Sequence, residues 1–172
     1  MSIDSLDYRK TIGLFATGVT VLANGDADNL RAMTANAVTS VSLEPMLLLT
    51  CVHKEASLAE HLIEGHGFSV NILETGQRRL SNYFAGMDLD NPPNYRFEWV
   101  DGLPRLAGCL GTIFCSLYRL DDGGDHWIAV GQVIGLQRNP AASDPLLYFK
   151  GSYREVMEER EYDIPVSWDF SW

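Results

Sequence analysis

Three stretches of this chain carry side chains whose types and spacing could hold and transform a small molecule. The first is RAMTANAVTSVSLEP, residues 31–45, which strings together Thr34, Asn36, Thr39, Ser40 and Ser42 with no aromatic residue. Short hydroxyl and carboxamide groups form hydrogen bonds without filling space, so this segment suits the polar edge of something flat. An edge strand facing water has the same pattern, because half-polar strands are common. The second is HKEAS at 53–57, opening an apolar-striped helix whose free amides and dipole favour a phosphate. Ser57 is the expected cap of that helix whether or not a phosphate binds. The third is Gly124-Asp125-His126, where a histidine beside a turn can reach the mouth of a cleft. A flat heteroaromatic ligand with a phosphate tail satisfies all three.

Other chemistries find little support. There is no nucleophile elbow, HExxH, Walker loop or GxGxxG, and His53, His61, His66 and His126 have no metal-ligand spacing, so no metal is expected. Cys51, Cys109 and Cys115 are odd in number and form no CxxC, which argues against a disulfide framework and a structural zinc. Cys51 and Cys115 sit in apolar runs and are expected to be packed thiols. A net charge of −10 disfavours nucleic acid as a partner. No apolar run approaches the roughly 20 residues that span a bilayer. MSIDSLDYRK also lacks the basic-then-apolar pattern of a secretory signal, so the expected address is the cytoplasm, away from membranes.

The elements that must position these groups follow from periodicity. At 172 residues and 46% hydrophobic, the chain fits one domain with a substantial core. Residues 4–16 read as a short helix, 17–24 as a strand meeting a Gly25-Asp26 turn, and 31–42 as its hairpin partner. The run MLLLTCV (46–52) has the length of a buried strand. A helix follows, ended by Gly65, and then GFSVNILE (67–74) alternates as another strand. GQRRLSNYFAG (76–86) reads as a second short helix, and Pro92-Pro93 place 88–96 in a loop. Residues 109–122 and 126–137 form a hairpin about Gly123-Gly124, and 145–156 ends the regular part. Six or seven strands in succession, with two or three short helices, favour an antiparallel barrel with helical insertions.

FATGVTVL (15–22), MTANAVTSVSLEP (33–45), GFSVNIL (67–73), LSNYFAG (80–86), GDHWIAVGQV (124–133) and PLLYFKGSYRE (145–155) occur in this order along most of the chain. Together they resemble the flavin reductase family, small NAD(P)H:flavin oxidoreductases that feed reduced flavin to two-component monooxygenases. The resemblance implies a mostly β fold with short helices, a split β-barrel of the FMN-binding flavin reductase type, over residues 1–156. It implies FMN or FAD as cofactor, NADH or NADPH as electron donor, and a homodimer with the flavin near the subunit interface. Carried over by position, Met33, Thr34, Ala35 and Asn36 would lie along the isoalloxazine, with Ser40, Val41 and Ser42 nearby. His53, Lys54, Glu55, Ala56 and Ser57 would meet the ribityl phosphate, and Phe84 would flank the flavin. His126 would serve the nicotinamide site as the catalytic residue, with Tyr148, Tyr153 and Arg154 at the same end.

Two features depart from the family pattern. Glu55 stands where an extra basic residue is common, which leaves FMN and FAD both open. Residues 157–172 extend past the pattern with Trp168, Phe170 and Trp172, and are expected to pack on the partner subunit. The alternative to a reductase is a non-catalytic flavin-binding electron-transfer or sensor module on the same barrel. A barrel oxidase acting on a phosphorylated substrate would need more basic residues than this region offers.

Overall fold

The computed structural model describes residues 3–141 and 144–157, so the expectation for Trp168, Phe170 and Trp172 lies outside the described residues. Its elements are α1 (Ser5–Ile12), β1 (Thr17–Gly18), β2 (Thr20–Asn24), β3 (Arg31–Ala35), β4 (Val38–Leu43), β5 (Met46–His53) and α2 (Ser57–Ile63). There follow β6 (Phe68–Ile72), α3 (Arg78–Phe84), β7 (Phe97–Val100), β8 (Leu103–Leu106), β9 (Gly111–Gly123), β10 (His126–Arg138), β11 (Leu147–Phe149) and β12 (Ser152–Arg154). The mostly β reading with a few short helices is correct.

Seven strands form one antiparallel sheet in the order β3-β2-β6-β9-β10-β5-β4. The expected strand at 31–42 is in fact two, broken at Asn36-Ala37. β3 pairs with β2, whereas β4 pairs with β5 at the opposite edge. One short stretch of chain therefore supplies both edges of the sheet, and Asn36-Ala37 is the crossing point. Among the described residues no ladder joins β3 to β4, so the sheet is open by hydrogen bonding.

The expected strand at 17–24 also divides, at Val19. Its N–H donates to Leu146 O at 3.0 Å and its carbonyl accepts from Leu73 N at 3.0 Å, which hands the chain from one sheet to another. β1 thus belongs to a small sheet with β11 and β12.

The two faces of the large sheet carry separate cores. Leu22, Val52, Phe68, Val70 and Cys115 pack with Leu58 and Leu62 of α2, while Val21, Ala23, Leu73, Leu80 and Leu106 pack on the other face. Each fully buried Val, Leu or Phe side chain contributes roughly 1.5–3 kcal/mol. A Cβ on Gly131 would meet Cys115 Cβ at 2.7 Å and Phe68 Cζ at 2.8 Å, so β10 needs glycine where it crosses the first core.

Ser69 and Asn71 correct the alternation expected of 67–74, since both are fully buried rather than facing water. The hairpin β7–β8, which sequence periodicity missed, covers them. Asn71 Nδ2 donates to Val21 O at 3.0 Å, while its Oδ1 accepts from Leu106 N at 2.8 Å and Thr112 Oγ1 at 3.0 Å. One carboxamide thus joins three strands, the buried network that a half-polar strand needs when no water reaches it.

Three smaller corrections concern helices and turns. α1 ends at Ile12 rather than running to residue 16, and Leu6, Ile12, Leu14 and Phe15 are exposed. The cap of α2 is Ala56, with no side-chain hydrogen bond, and Ser57 is the first helical residue. The turn between β9 and β10 is Gly124-Asp125, because Gly123 already pairs with His126.

Cys109 and Cys115 are fully buried and Cys51 is half-buried. Burial pushes the Cys115 thiol up to about 12 and raises that of Cys51. Thiolate is the reactive form, so iodoacetamide at about pH 8 should leave Cys115 unlabelled in the folded protein and label it after denaturation. Rapid native labelling of Cys115, read by peptide mass spectrometry, would contradict this packing.

Candidate active site

β3 and α3 build the site between them. Thr34 Oγ1 donates to Ser81 O at 2.7 Å, pinning α3 against the strand. A cleft of about 480 Å³ opens beside this contact, with Thr34, Ala35 and Asn36 along one wall, Arg78, Ser81 and Asn82 of α3 along another, and Tyr148, Gly151 and Tyr153 closing the end. Asn36 Nδ2 reaches Thr17 Oγ1 at 3.3 Å, which ties the crossing point to β1. Tyr153 donates its hydroxyl to Asn82 Oδ1 at 2.7 Å, with Ser81 Oγ at 2.9 Å. The Arg78 guanidinium lies 5.1 Å over the Tyr153 ring, and the Tyr148 and Tyr153 rings meet edge-on at 5.5 Å. Aromatic faces at one end and short amides and hydroxyls along the walls match a flat ligand with a polar edge.

A second cleft, about 490 Å³, adjoins the first on the other side of the α3 C-terminus. It is lined by Arg31 and Ala32 of β3, Ser57 at the start of α2, and Tyr83, Phe84 and Tyr95. The Phe84 ring meets Tyr95 at 5.1 Å and Tyr83 at 5.3 Å. An arginine and a hydroxyl opposite an aromatic wall suit a phosphate joined to a ring system.

The third constellation is at the tip of the β9–β10 hairpin. His126 pairs with His53 across β10 and β5, and the two rings meet edge-on at 5.0 Å. Asp125 Oδ1 lies 2.7 Å from His126 Nδ1, which fixes the ring and leaves Nε2 pointing away from the carboxylate. That hydrogen bond, followed by the imidazole's charge, holds the Asp125 carboxyl below its usual range. A lowered carboxylate pKa contributes stability above the unfolded value, about 3.9, and loses it as pH falls through the folded one. Asp125 is fully exposed, so solvent screening keeps the contribution small. Lys54 forms an ion pair with Asp122, which lowers the Asp122 pKa, and its ammonium lies 4.8 Å over Trp127.

The fold brings together Thr34, Ala35, Asn36, Tyr148 and Tyr153 in the first cleft, Ser57 and Phe84 in the second, and His53 with His126 at the hairpin. Met33 instead packs against the core beneath α2. Ser40, Val41 and Ser42 lie on β4 at the far edge of the sheet and line neither cleft. Lys54 is held by Asp122, Glu55 is exposed with its amide donating to His53 Nδ1 at 3.2 Å, and Arg154 is exposed beyond Tyr153. Arg31, Ser81 and Asn82 are lining residues not singled out from sequence, and Arg78, which with Arg79 reads from sequence as a solvated helix face with a lesser prospect of binding a phosphate, also lines the first cleft. The motif LSNYFAG contains two of them, and its helical period could have placed Ser81 and Asn82 beside Phe84.

The match to a family model decides which family carries this arrangement. Residues 12–157 match the flavin reductase like domain. The chain belongs to the flavin reductase family. It is 40% identical over 166 residues to an NADH-dependent FAD reductase of Streptomyces globisporus, covering 92% of this chain and 89% of that one. It is 36% identical over 151 residues to the reductase component of a 4-hydroxyphenylacetate 3-monooxygenase of Thermus thermophilus, covering 87% and 95%. Among solved structures, the flavin reductase PheA2 in its native state superposes with a TM-score of 0.84 at 36% identity, covering 91% of this chain and 100% of that one. A Streptomyces globisporus NADH:FAD oxidoreductase in complex with NAD and FAD fragments superposes at 0.83 and 36%, covering 92% and 96%.

Proposed function

We propose that this flavin reductase passes hydride from a reduced nicotinamide dinucleotide to FMN or FAD, and that the reduced flavin serves a partner monooxygenase. The observation that carries the reading is the pair of adjoining clefts along β3, one aromatic and amide-lined, the other holding Arg31 and Ser57. When bound, the flavin supplies the electron-accepting ring. The chain supplies position. Asn36, Ser81 and Asn82 offer hydrogen bonds to a ring edge, Tyr148 and Tyr153 bound the slot, and Arg31 with Ser57 hold a phosphate. His126, oriented by Asp125, steadies the nicotinamide so that the reacting atoms stay at about 3–3.5 Å.

The open sheet with its edges joined through Asn36-Ala37 supports a split barrel over residues 1–156. Exposed Phe15, Val41, Leu43 and Met46 support a homodimer, since clustered exposed apolar side chains mark association surfaces. In that dimer, Ser40, Val41 and Ser42 would gain a place beside a flavin that the single chain does not give them. No helix among the described residues is long and apolar enough to cross a membrane. The cytoplasm, where reduced nicotinamides are kept, is the site of action this reading implies.

Anaerobic titration of the flavin-loaded protein with NADH and then NADPH tests the reading. Bleaching of the flavin band near ~450 nm at a stoichiometric end point is expected. A flavin that binds yet bleaches with neither donor would make this an electron-transfer or sensor module instead.

A further inference from the structure

The proposed reading leaves one group of cations unused. Arg9, Lys10 and Lys150 line a cleft of about 410 Å³ between α1 and the β11–β12 turn. None of the three has a carboxylate partner among the described residues, in a chain whose net charge is −10. For Arg9 and Lys10 there is a plain structural reason, since cations suit the last turn of a helix. Lys150 has no such reason. It lies at φ 51 and Gly151 at φ 72, the two central residues of a two-residue hairpin turn. Such turns favour Asn-Gly, because asparagine tolerates the left-handed region and a long side chain gains nothing there. The Lys150 amide donates to Gly13 O at 2.8 Å, which seats the turn on the end of α1. Its ammonium lies 5.1 Å over the Phe149 ring, and Lys150 itself lines the cleft.

The position of this cleft decides what it can serve. Gly151 lines it and also closes the end of the ring-binding cleft, whereas Ser57 and Arg31 lie in the separate cleft beyond α3. A flavin phosphate on Ser57 and Arg31 therefore leaves the α1 side for the second ligand. We propose that Lys150, with Arg9 and Lys10, binds a phosphate at the adenosine end of the nicotinamide dinucleotide. This rests on the hydride-transfer reading above. The shared chemistry is a phosphate dianion or diphosphate on an ammonium and a guanidinium, contacts stronger than neutral hydrogen bonds.

Lys150→Asn tests it, because asparagine is the better turn residue and should leave the melting temperature unchanged or higher. KM for at least one donor should rise about tenfold, and Lys150→Arg should restore most of it. A rise confined to NADPH assigns the 2′-phosphate, and an equal rise with NADH assigns the diphosphate bridge. Calorimetry with ADP-ribose and 2′-phospho-ADP-ribose reads the same cleft without flavin turnover. If the wild type reduces no flavin, the function fails while this titration still reports on the cations. Unchanged KM for both donors, with unchanged binding of both probes, overturns the proposal. Arg9→Gln, on a helix with no buried residue, carries the same expectation should Lys150→Asn not fold.

Discussion

Asn71→Leu should lower the unfolding free energy by about 2–4 kcal/mol, although leucine is close to asparagine in size. The carboxamide is the acceptor for Leu106 N–H and Thr112 Oγ1 and the donor to Val21 O, all in a region that water does not enter. Leucine satisfies none of them. The Thr112 hydroxyl can turn to Cys109 Sγ, 3.4 Å away, but the Leu106 amide is left without its acceptor. A buried donor without a partner costs about 1–3 kcal/mol by itself. At roughly 2–4 °C per kcal/mol for a domain of this size, the melting temperature should fall by about 5–15 °C. Urea denaturation followed by tryptophan fluorescence measures this. A midpoint within error of the wild type would mean that the β7–β8 hairpin is not held by this residue.

His126→Ala should reduce kcat/KM for the nicotinamide donor by about a hundredfold, the scale on which misplacement of about an ångström acts. Flavin affinity should change much less, because His126 lies at the hairpin tip and lines neither cleft along β3. The distinction between the two ligands is the informative result. Stopped-flow reduction under anaerobic conditions gives the first quantity, and fluorescence quenching of free flavin gives the second. Equal loss of both would place His126 in the scaffold rather than beside the donor. Asp125 positions the ring through its 2.7 Å contact with Nδ1, so Asp125→Asn should show a milder version of the same split.

Much of this organisation was legible in the sequence. The hairpin around Gly123-Gly124 and the loop at the proline pair 92–93 each have one local solution and lie where expected, apart from the one-residue shift of the turn. The apolar run at 46–52 is a strand, but with Leu48, Thr50 and Val52 buried and Met46 exposed rather than buried throughout. Where both faces of a strand are buried, periodicity misleads. Asn71 looks solvent-facing because its partners, Leu106 and Thr112, are 35 and 41 residues away, and Ser69 because its own, Ala23 and Pro104, are 46 and 35 away. The break at Asn36-Ala37 was equally hidden. Val38 and Ala35 read as one strand, and only their partners, Thr50 and Thr20, tell them apart. In the candidate site, the short polar groups of 34–36 and the Asp125-His126 pair could be read directly. Arg31 could not, and Arg78 read chiefly as a solvated helix face, because an arginine on a strand or helix looks solvated until the opposite wall of its cleft is known.

The strand order has a consequence for how the molecule comes into being. β3, β2 and β6 form one side of the sheet and β5 with β4 the other, all within the first 72 residues. The strands that join them, β9 and β10, begin only at Gly111. A chain emerging from the ribosome thus displays two incomplete half-sheets with bare edges until its last third is synthesised. Closure then depends on contacts such as Val52 with Trp127, far apart in sequence, the kind of topology that folds in milliseconds to seconds rather than microseconds. Until β9 and β10 arrive, those bare edges are open to pairing with another chain.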